Sequence, residues 1–431
     1  MVKEIKNNKL YFDGCDVVEL AEKYGSPIYV MSKTDIESRL SELNRDFVDK
    51  YGNARVAYAS KAFCSVGMYK ILDKFGASID VVSGGEIYAA KKAGFPAERI
   101  EFNGNNKLES EIDEAVEYGV GRIILDGTHE VPLIEKACKK YNKKMNIMIR
   151  ITPGVAASTH DYIVTGKKDS KFGIPLDDDV FLKVVGDVVN SEWLEYTGLH
   201  MHIGSQLFEN DAFVEALNVV MDRVAQVKDE FGAITKEVNF GGGYGVTYTD
   251  EVRKPYSFFL DPMMEVLEKR SKEIGIERPC AVVEPGRSIV AEAGISVYKI
   301  GQIKEVRGIR TYMSVDGGMG DNIRVALYQA EYDGIIANRA EEEPKKKVTV
   351  CGKYCESGDI LLNDFMVPEE TTSGDILVMF STGAYGYAMA SNYNNNPIPG
   401  VVLVENGKSD WLIKPQTYEQ IIENNQIPDF I

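Results

Sequence analysis

Between about residues 54 and 287 the chain alternates short apolar runs with longer segments of helical spacing. The runs read ARVAYAS, SIDVVS, RIEFNG, RIILDG, NIMIRI, YTGLHMHIG, KEVNF and CAVVEPGR. They are rich in Val and Ile with little polar alternation, as expected of strands covered on both faces. Segments between them, such as GGEIYAAKKAG and ESEIDEAVEYG, space their apolar residues as helices do and close on glycine. Eight such units predict an α/β fold with a (β/α)8 TIM-like barrel, and strands alternating with helices independently imply a parallel sheet. A doubly wound open sheet is the alternative.

After about residue 293 the pattern changes. GISVYKIGQI, TYMSVDGG, KKKVTVCGKY, DILVMFSTGAY and GVVLVEN are separated by turn-rich segments without long helical stretches, which predicts an all-β C-terminal domain. NKLYFDG near the start has the same character and can join it. The expected division is a barrel over 33–292 and a β-domain from 1–32 and 293–431. EEEPKKK (341–347) reads as a solvated hairpin connection.

A length of 431 residues suits one large domain plus a smaller one, and 44% hydrophobic residues can build an ordinary core. The formal charge of −17 argues against nucleic acid or an anionic membrane as partner. Six scattered cysteines, no apolar run at the N-terminus and no stretch of about 20 apolar residues suggest a cytoplasmic, thiol-reduced protein.

Barrel enzymes place their chemistry at the C-terminal ends of the strands. The first run delivers Lys61 in YASKAF; a lysine in an enclosed mouth suits Schiff-base chemistry, although a surface lysine past a strand looks the same. The seventh run ends in NFGGGYG, with Gly242 and Gly243, and the eighth in EPGR, with Glu284, Gly286 and Arg287. Glycines let backbone amides approach an anion, and loops seven and eight of barrels often bind phosphate. The sixth run ends in HMHIGSQ. His200 and His202 share a side if the strand alternates there, a flat imidazole can stack on a planar ligand, and Ser205 can donate to a phosphate. With His129 and His160 they make no zinc spacing, so no metal is expected. An imine-forming lysine, an anion nest, a flat side chain and a carboxylate for a ring nitrogen together describe a pyridoxal 5′-phosphate site.

YASKAF, DVVSGGE, HIGSQ, NFGGGYG, EPGR, CES-GD and GAYGYAMASNYN, in this order over residues 20–420, resemble the alanine-racemase-type pyridoxal-phosphate enzymes of decarboxylase group IV, and within them the meso-diaminopimelate decarboxylase family. The resemblance implies decarboxylation of meso-2,6-diaminopimelate to L-lysine and CO2, the last step of lysine biosynthesis. By it Lys61 holds the cofactor, His202 stacks on the ring and Glu284 faces the pyridine nitrogen. Ser205, Gly242, Gly243, Gly286 and Tyr385 surround the phosphate, with Arg287 beside them, and Asp80 supports the lysine unless it is simply an acid at a strand end. Arg287, Arg324, Tyr328 and Tyr385 would meet the substrate's distal carboxylate and Glu356 its distal ammonium. Cys355 would protonate Cα from a second subunit, so a homodimer with shared sites is implied.

A decarboxylase for ornithine, arginine or a carboxy-polyamine is the alternative. Relatives of that kind carry an acid after the cysteine and then glycine, whereas here Ser357 follows Glu356. A racemase would want a second acid/base, usually tyrosine, in place of Cys355. A non-catalytic pyridoxal-phosphate barrel would lack the β-domain. VCGKYCESGD (350–359) therefore reads as a strand cysteine, Cys351, beside a catalytic loop carrying Cys355, with Asp359 fixing that loop.

Overall fold

The computed structural model describes residues 2–155 and 170–431. The chain divides into two compact units, one of Arg39–Val246 and Arg253–Ser288, the other of Met1–Ser38, Thr247–Val252 and Ile289–Ile431. Four strands precede the barrel: β1 (Lys3–Lys6), β2 (Lys9–Phe12), β3 (Cys15–Asp16) and β4 (Ile28–Ser32).

The first unit is an eight-stranded closed barrel. Its strands are β5 (Ala54–Ala59), β6 (Ser78–Val81), β7 (Ile100–Phe102), β8 (Arg122–Leu125), β9 (Met145–Arg150), β10 (Leu194–His200), β11 (Glu237–Asn239) and β12 (Cys280–Val283). Each overlaps one of the eight apolar runs, β9 and β10 starting one and two residues ahead of theirs, and all neighbours pair in parallel. β12 pairs with β5, Val282 opposite Arg55, and that ladder closes the sheet and excludes the open alternative. The helix Gly84–Ala93 starts where Ser83 Oγ accepts the Glu86 N–H at 3.3 Å and packs Ile87, Ala90 and Ala93 inward, a serine cap on an apolar stripe. Parallel strands put all eight C-terminal ends on one rim, which makes loop residues distant in sequence into neighbours.

The second unit is built on β13 (Gly294–Val306), β14 (Arg310–Val315), β15 (Gly334–Ile336), β16 (Pro344–Cys351), β17 (Ile360–Pro368), β18 (Ile376–Met379), β19 (Gly400–Glu405) and β20 (Lys408–Ile413). A nine-stranded sheet runs β17-β16-β14-β13-β4-β19-β20, with β18 bridging β13 and β15. Its core gathers Ile28, Val30, Ile295, Val297, Val378, Val402 and Val404 with Leu10, Phe12 and Leu20.

Two sequence expectations change in detail. NKLYFDG supplies β2, which falls in this unit but pairs only within a separate three-stranded sheet; the N-terminal strand that enters the large sheet is β4, IYVMS. EEEPKKK is a connection only in its acidic half. Pro344 and Lys347 already pair with Pro368 and Met366 of β17, the ladder satisfying the backbone while the lysines stay in solvent. Among the described residues no helix is long and apolar enough to cross a membrane.

Candidate active site

Lys61 sits in a 3₁₀ turn, Ser60–Ala62, directly after β5. Its side chain is exposed rather than enclosed. Its ammonium nevertheless reaches electrostatically to Asp80, Glu86, Glu284, His200 and His202. Asp80, on β6, is 2% exposed and its Oδ1 has no hydrogen-bond partner among the described residues. Burial and then the charge of Glu284 hold its carboxyl well above the ordinary range, against the pull of Lys61. Glu86 accepts the Val82 N–H at 2.7 Å, and burial pushes its carboxyl up to about 7.

Glu284 follows β12 and donates its backbone N–H to Gly241 O at 2.8 Å. Its carboxylate accepts from Asn239 Nδ2 at 2.8 Å and lies 2.9 and 3.0 Å from His200 Nε2. Burial, then Glu101, raises the carboxyl to about 8. Burial lowers His200 and His202 well below the usual imidazole value, so both rings are neutral near pH 7. A neutral His200 and Glu284 therefore share one hydrogen bond at Nε2, with its direction set by which of the two holds the proton.

β10 stops at His200, so the two histidines serve different ends: His202 Nδ1 accepts the Gly242 N–H at 3.3 Å. That glycine has no room for a side chain, because a Cβ there would collide with the Glu284 carbonyl. Gly243 lies at φ 117°, outside the comfortable range of other residues. Gly286 is buried against Ala59. Arg287, 7% exposed at the start of the helix Arg287–Val290, donates from Nε and Nη2 to Ser205 Oγ at 3.2 and 3.1 Å. The barrel thus gathers Lys61, Asp80, His202, Ser205, Gly242, Gly243, Glu284, Gly286 and Arg287 at the C-terminal ends of its strands.

The second unit holds the remaining residues in two groups. The Arg324 guanidinium lies 5.2 Å from the Tyr328 ring and 5.4 Å from the Tyr385 ring, and its Nε donates to Tyr332 Oη at 3.0 Å. Tyr385 is held at φ 58°, a conformation costing a non-glycine residue on the order of 1–3 kcal/mol and typical of functional positions. Cys355 and Glu356 are both exposed. The Cys355 N–H donates to Asn394 Oδ1 at 2.9 Å, and buried Asp359 accepts the N–H groups of Met319 and Tyr354 at 2.6 and 2.8 Å. Cys351 ends β16 with Sγ 3.4 Å from Ser314 Oγ, and all six cysteines are free thiols.

Reading by motif passed over Glu86, Glu101, Arg150, Asn239 and Asn394. For Glu101 and Arg150 a signal was present: a charge inside RIEFNG or NIMIRI, on a strand buried on both faces, needs a partner. Among the described residues no group of three or more His, Cys, Asp or Glu is placed to hold a metal. His129 precedes the helix Glu130–Tyr141, and His160 lies outside the described residues.

Comparison with known proteins bears on the family and the fold. The family model for the pyridoxal-dependent decarboxylase, pyridoxal binding domain, matches residues 33–291. The chain is 44% identical to a diaminopimelate decarboxylase of Bacillus subtilis (strain 168) over 422 residues, 98% of this chain and 96% of that protein. It is 39% identical to one of Staphylococcus aureus (strain COL), over 98% and 99% of the two chains. Its fold is similar to the crystal structure of diaminopimelate decarboxylase from M. jannaschii in co-complex with L-lysine, with TM-score 0.93, 34% identity and coverage of 100% and 98%.

Proposed function

The chain belongs to the pyridoxal-dependent decarboxylase family, and we propose that it decarboxylates meso-2,6-diaminopimelate to L-lysine and CO2, the last step of lysine biosynthesis. The observation that carries the reading is the setting of Glu284. Its buried carboxyl has only neutral hydrogen-bonding partners, Asn239 and His200, and is pushed up to about 8, so a cation beside it would favour its ionised form. Such a group calls for a cation, and a protonated pyridine nitrogen is one, so these residues fit pyridoxal 5′-phosphate.

Lys61 would hold the cofactor through an imine, supported by Asp80, with His202 against the ring and Glu284 on the ring nitrogen. Ser205, Gly242, Gly243, Gly286 and Tyr385 would surround the phosphate, beside Arg287. When bound, the cofactor supplies an electron sink for the pair left at Cα as CO2 departs. Glu284 would keep the ring nitrogen protonated, and its low-dielectric setting would strengthen that pairing. Arg324, with Arg287, Tyr328 and Tyr385, would bind the distal carboxylate, for which a guanidinium offers a two-pronged match. Glu356 would take the distal ammonium, and the Cys355 thiol would deliver the proton to Cα. Both are exposed in the chain, which suits action on the site of a second subunit in a homodimer with shared active sites. Six free thiols suit a cytoplasmic enzyme.

The test is a substrate panel with pyridoxal phosphate added: CO2 release from meso-diaminopimelate against ornithine and arginine. Release from meso-diaminopimelate with lysine as product is expected. Release from ornithine or arginine alone would move the assignment to that decarboxylase, and no release from any of them would overturn it.

A further inference from the structure

Asn239, the last residue of β11, is fully buried, and its side chain touches three separate parts of the barrel. Nδ2 donates to Glu284 Oε1 at 2.8 Å and to Glu101 Oε2 at 3.2 Å, while Oδ1 accepts the Gly241 N–H at 2.8 Å. Glu101 is itself anchored. Arg55 Nη2 and Arg122 Nη1 donate to its Oε1 at 2.5 and 2.9 Å, and both arginines also reach Glu237.

We infer that Asn239 is a positioning residue of the cofactor site. Its single amide holds the glycine loop, at the phosphate end, in register with Glu284, at the ring-nitrogen end, and ties both to the Arg55–Glu101–Arg122 anchor. The inference rests on the pyridoxal-phosphate reading of the barrel rim.

Phosphate and ring nitrogen are a fixed covalent distance apart, so the groups that receive them have to keep a fixed spacing. The backbone bond from Glu284 N–H to Gly241 O ties the loop to the main chain after β12 but leaves the Glu284 side chain unplaced relative to it. A primary amide can place it. Its two N–H bonds serve two carboxylates while its oxygen serves the loop, and all three partners are buried or nearly so. No other side chain of this size offers two donors and an acceptor together. The amide also separates two carboxylates of like charge. Glu101 disfavours ionised Glu284, whereas the Asn239 hydrogen bond favours it.

Two variants of the full-length protein decide the matter, read by cofactor titration, absorbance of the bound cofactor and steady-state kinetics. Asn239→Leu removes donors and acceptor, and its pyridoxal-phosphate dissociation constant should rise roughly tenfold or more, the worth of a lost buried hydrogen bond to a charged group. Asn239→Asp keeps an acceptor for Gly241 but donates only when protonated. Its cofactor affinity should therefore fall with rising pH more steeply than that of the wild type. Its kcat should drop with KM for the substrate little changed.

Melting of the cofactor-free proteins checks folding. If Asn239→Leu does not fold, the pH slope of Asn239→Asp decides alone. Both folded variants binding and turning over like the wild type at every pH would overturn the inference. A wild type that takes up no pyridoxal phosphate would instead overturn the cofactor reading beneath it.

Discussion

In the barrel unit Asp80, His200, Asn239 and Glu284 are buried and joined to one another by hydrogen bonds or charge, whereas in the β unit Cys355 and Glu356 stand exposed on a loop. Burial sets protonation across this unit: Glu86 rises to about 7, Glu284 to about 8, and His200 and His202 fall. In the second the buried acids lie beneath the loop instead. Asp359 clamps backbone N–H groups, and Asp321, its carboxyl raised to about 7 by burial, accepts from Tyr354 Oη at 3.2 Å. One unit tunes charge, and the other positions a thiol by holding its backbone. Substitutions in the barrel should therefore be read in cofactor binding, and those in the β unit in turnover with the cofactor retained.

The largest test of that contrast is Lys61→Ala. Turnover should fall on the order of 10³-fold or more, and borohydride should no longer link the cofactor to the chain. A reducible adduct found by mass spectrometry in the variant would place the imine elsewhere. Cys355→Ala should lose about 10²–10⁴-fold in kcat, the range for a missing general acid, while the bound-cofactor absorbance is unchanged. Loss of the cofactor from this variant would break the division between the units.

Arg324→Lys keeps the charge but not the fork, and KM for meso-diaminopimelate should rise about tenfold with a smaller change in kcat. Tyr385→Phe sharpens the contrast, as the one β-unit substitution expected to weaken cofactor binding, by several-fold in a titration.

The smallest effect concerns pH. Folded Asp321 titrates near 7, and an unfolded aspartate near about 3.9. The fold thus holds a proton that the unfolded chain releases, and the stability linked to it, full below about pH 4, is lost as pH rises through 7. Thermal melts from pH 5 to 8 should show the melting temperature of Asp321→Asn declining by less, a difference of a few degrees at most. Equal slopes would exonerate Asp321.

Much of the barrel was legible because its signals are local. The eight apolar runs each mark one strand, to within two residues at its start, and NFGGGYG and EPGR place their glycines just after β11 and β12. The helix Arg324–Tyr328 holds its arginine and tyrosine one turn apart, as NIRVALY suggested. β4 was harder to see: IYVMS carries no motif, and only its pairing with β13 and β19 makes it central. Asn394, which supports Cys355 from 39 positions away, was equally silent.

By itself the sequence determined the order of strands and helices, the two textures of the chain and the residue types its chemistry uses. Those follow from spacing along the backbone, which is local. The tertiary structure alone decided that Asn239 lies between Glu101 and Glu284, and that Glu284 titrates near 8 while His200 stays neutral. Protonation depends on how far water is excluded and on which charges come near, and both arise only when residues more than a hundred positions apart are folded into one buried network.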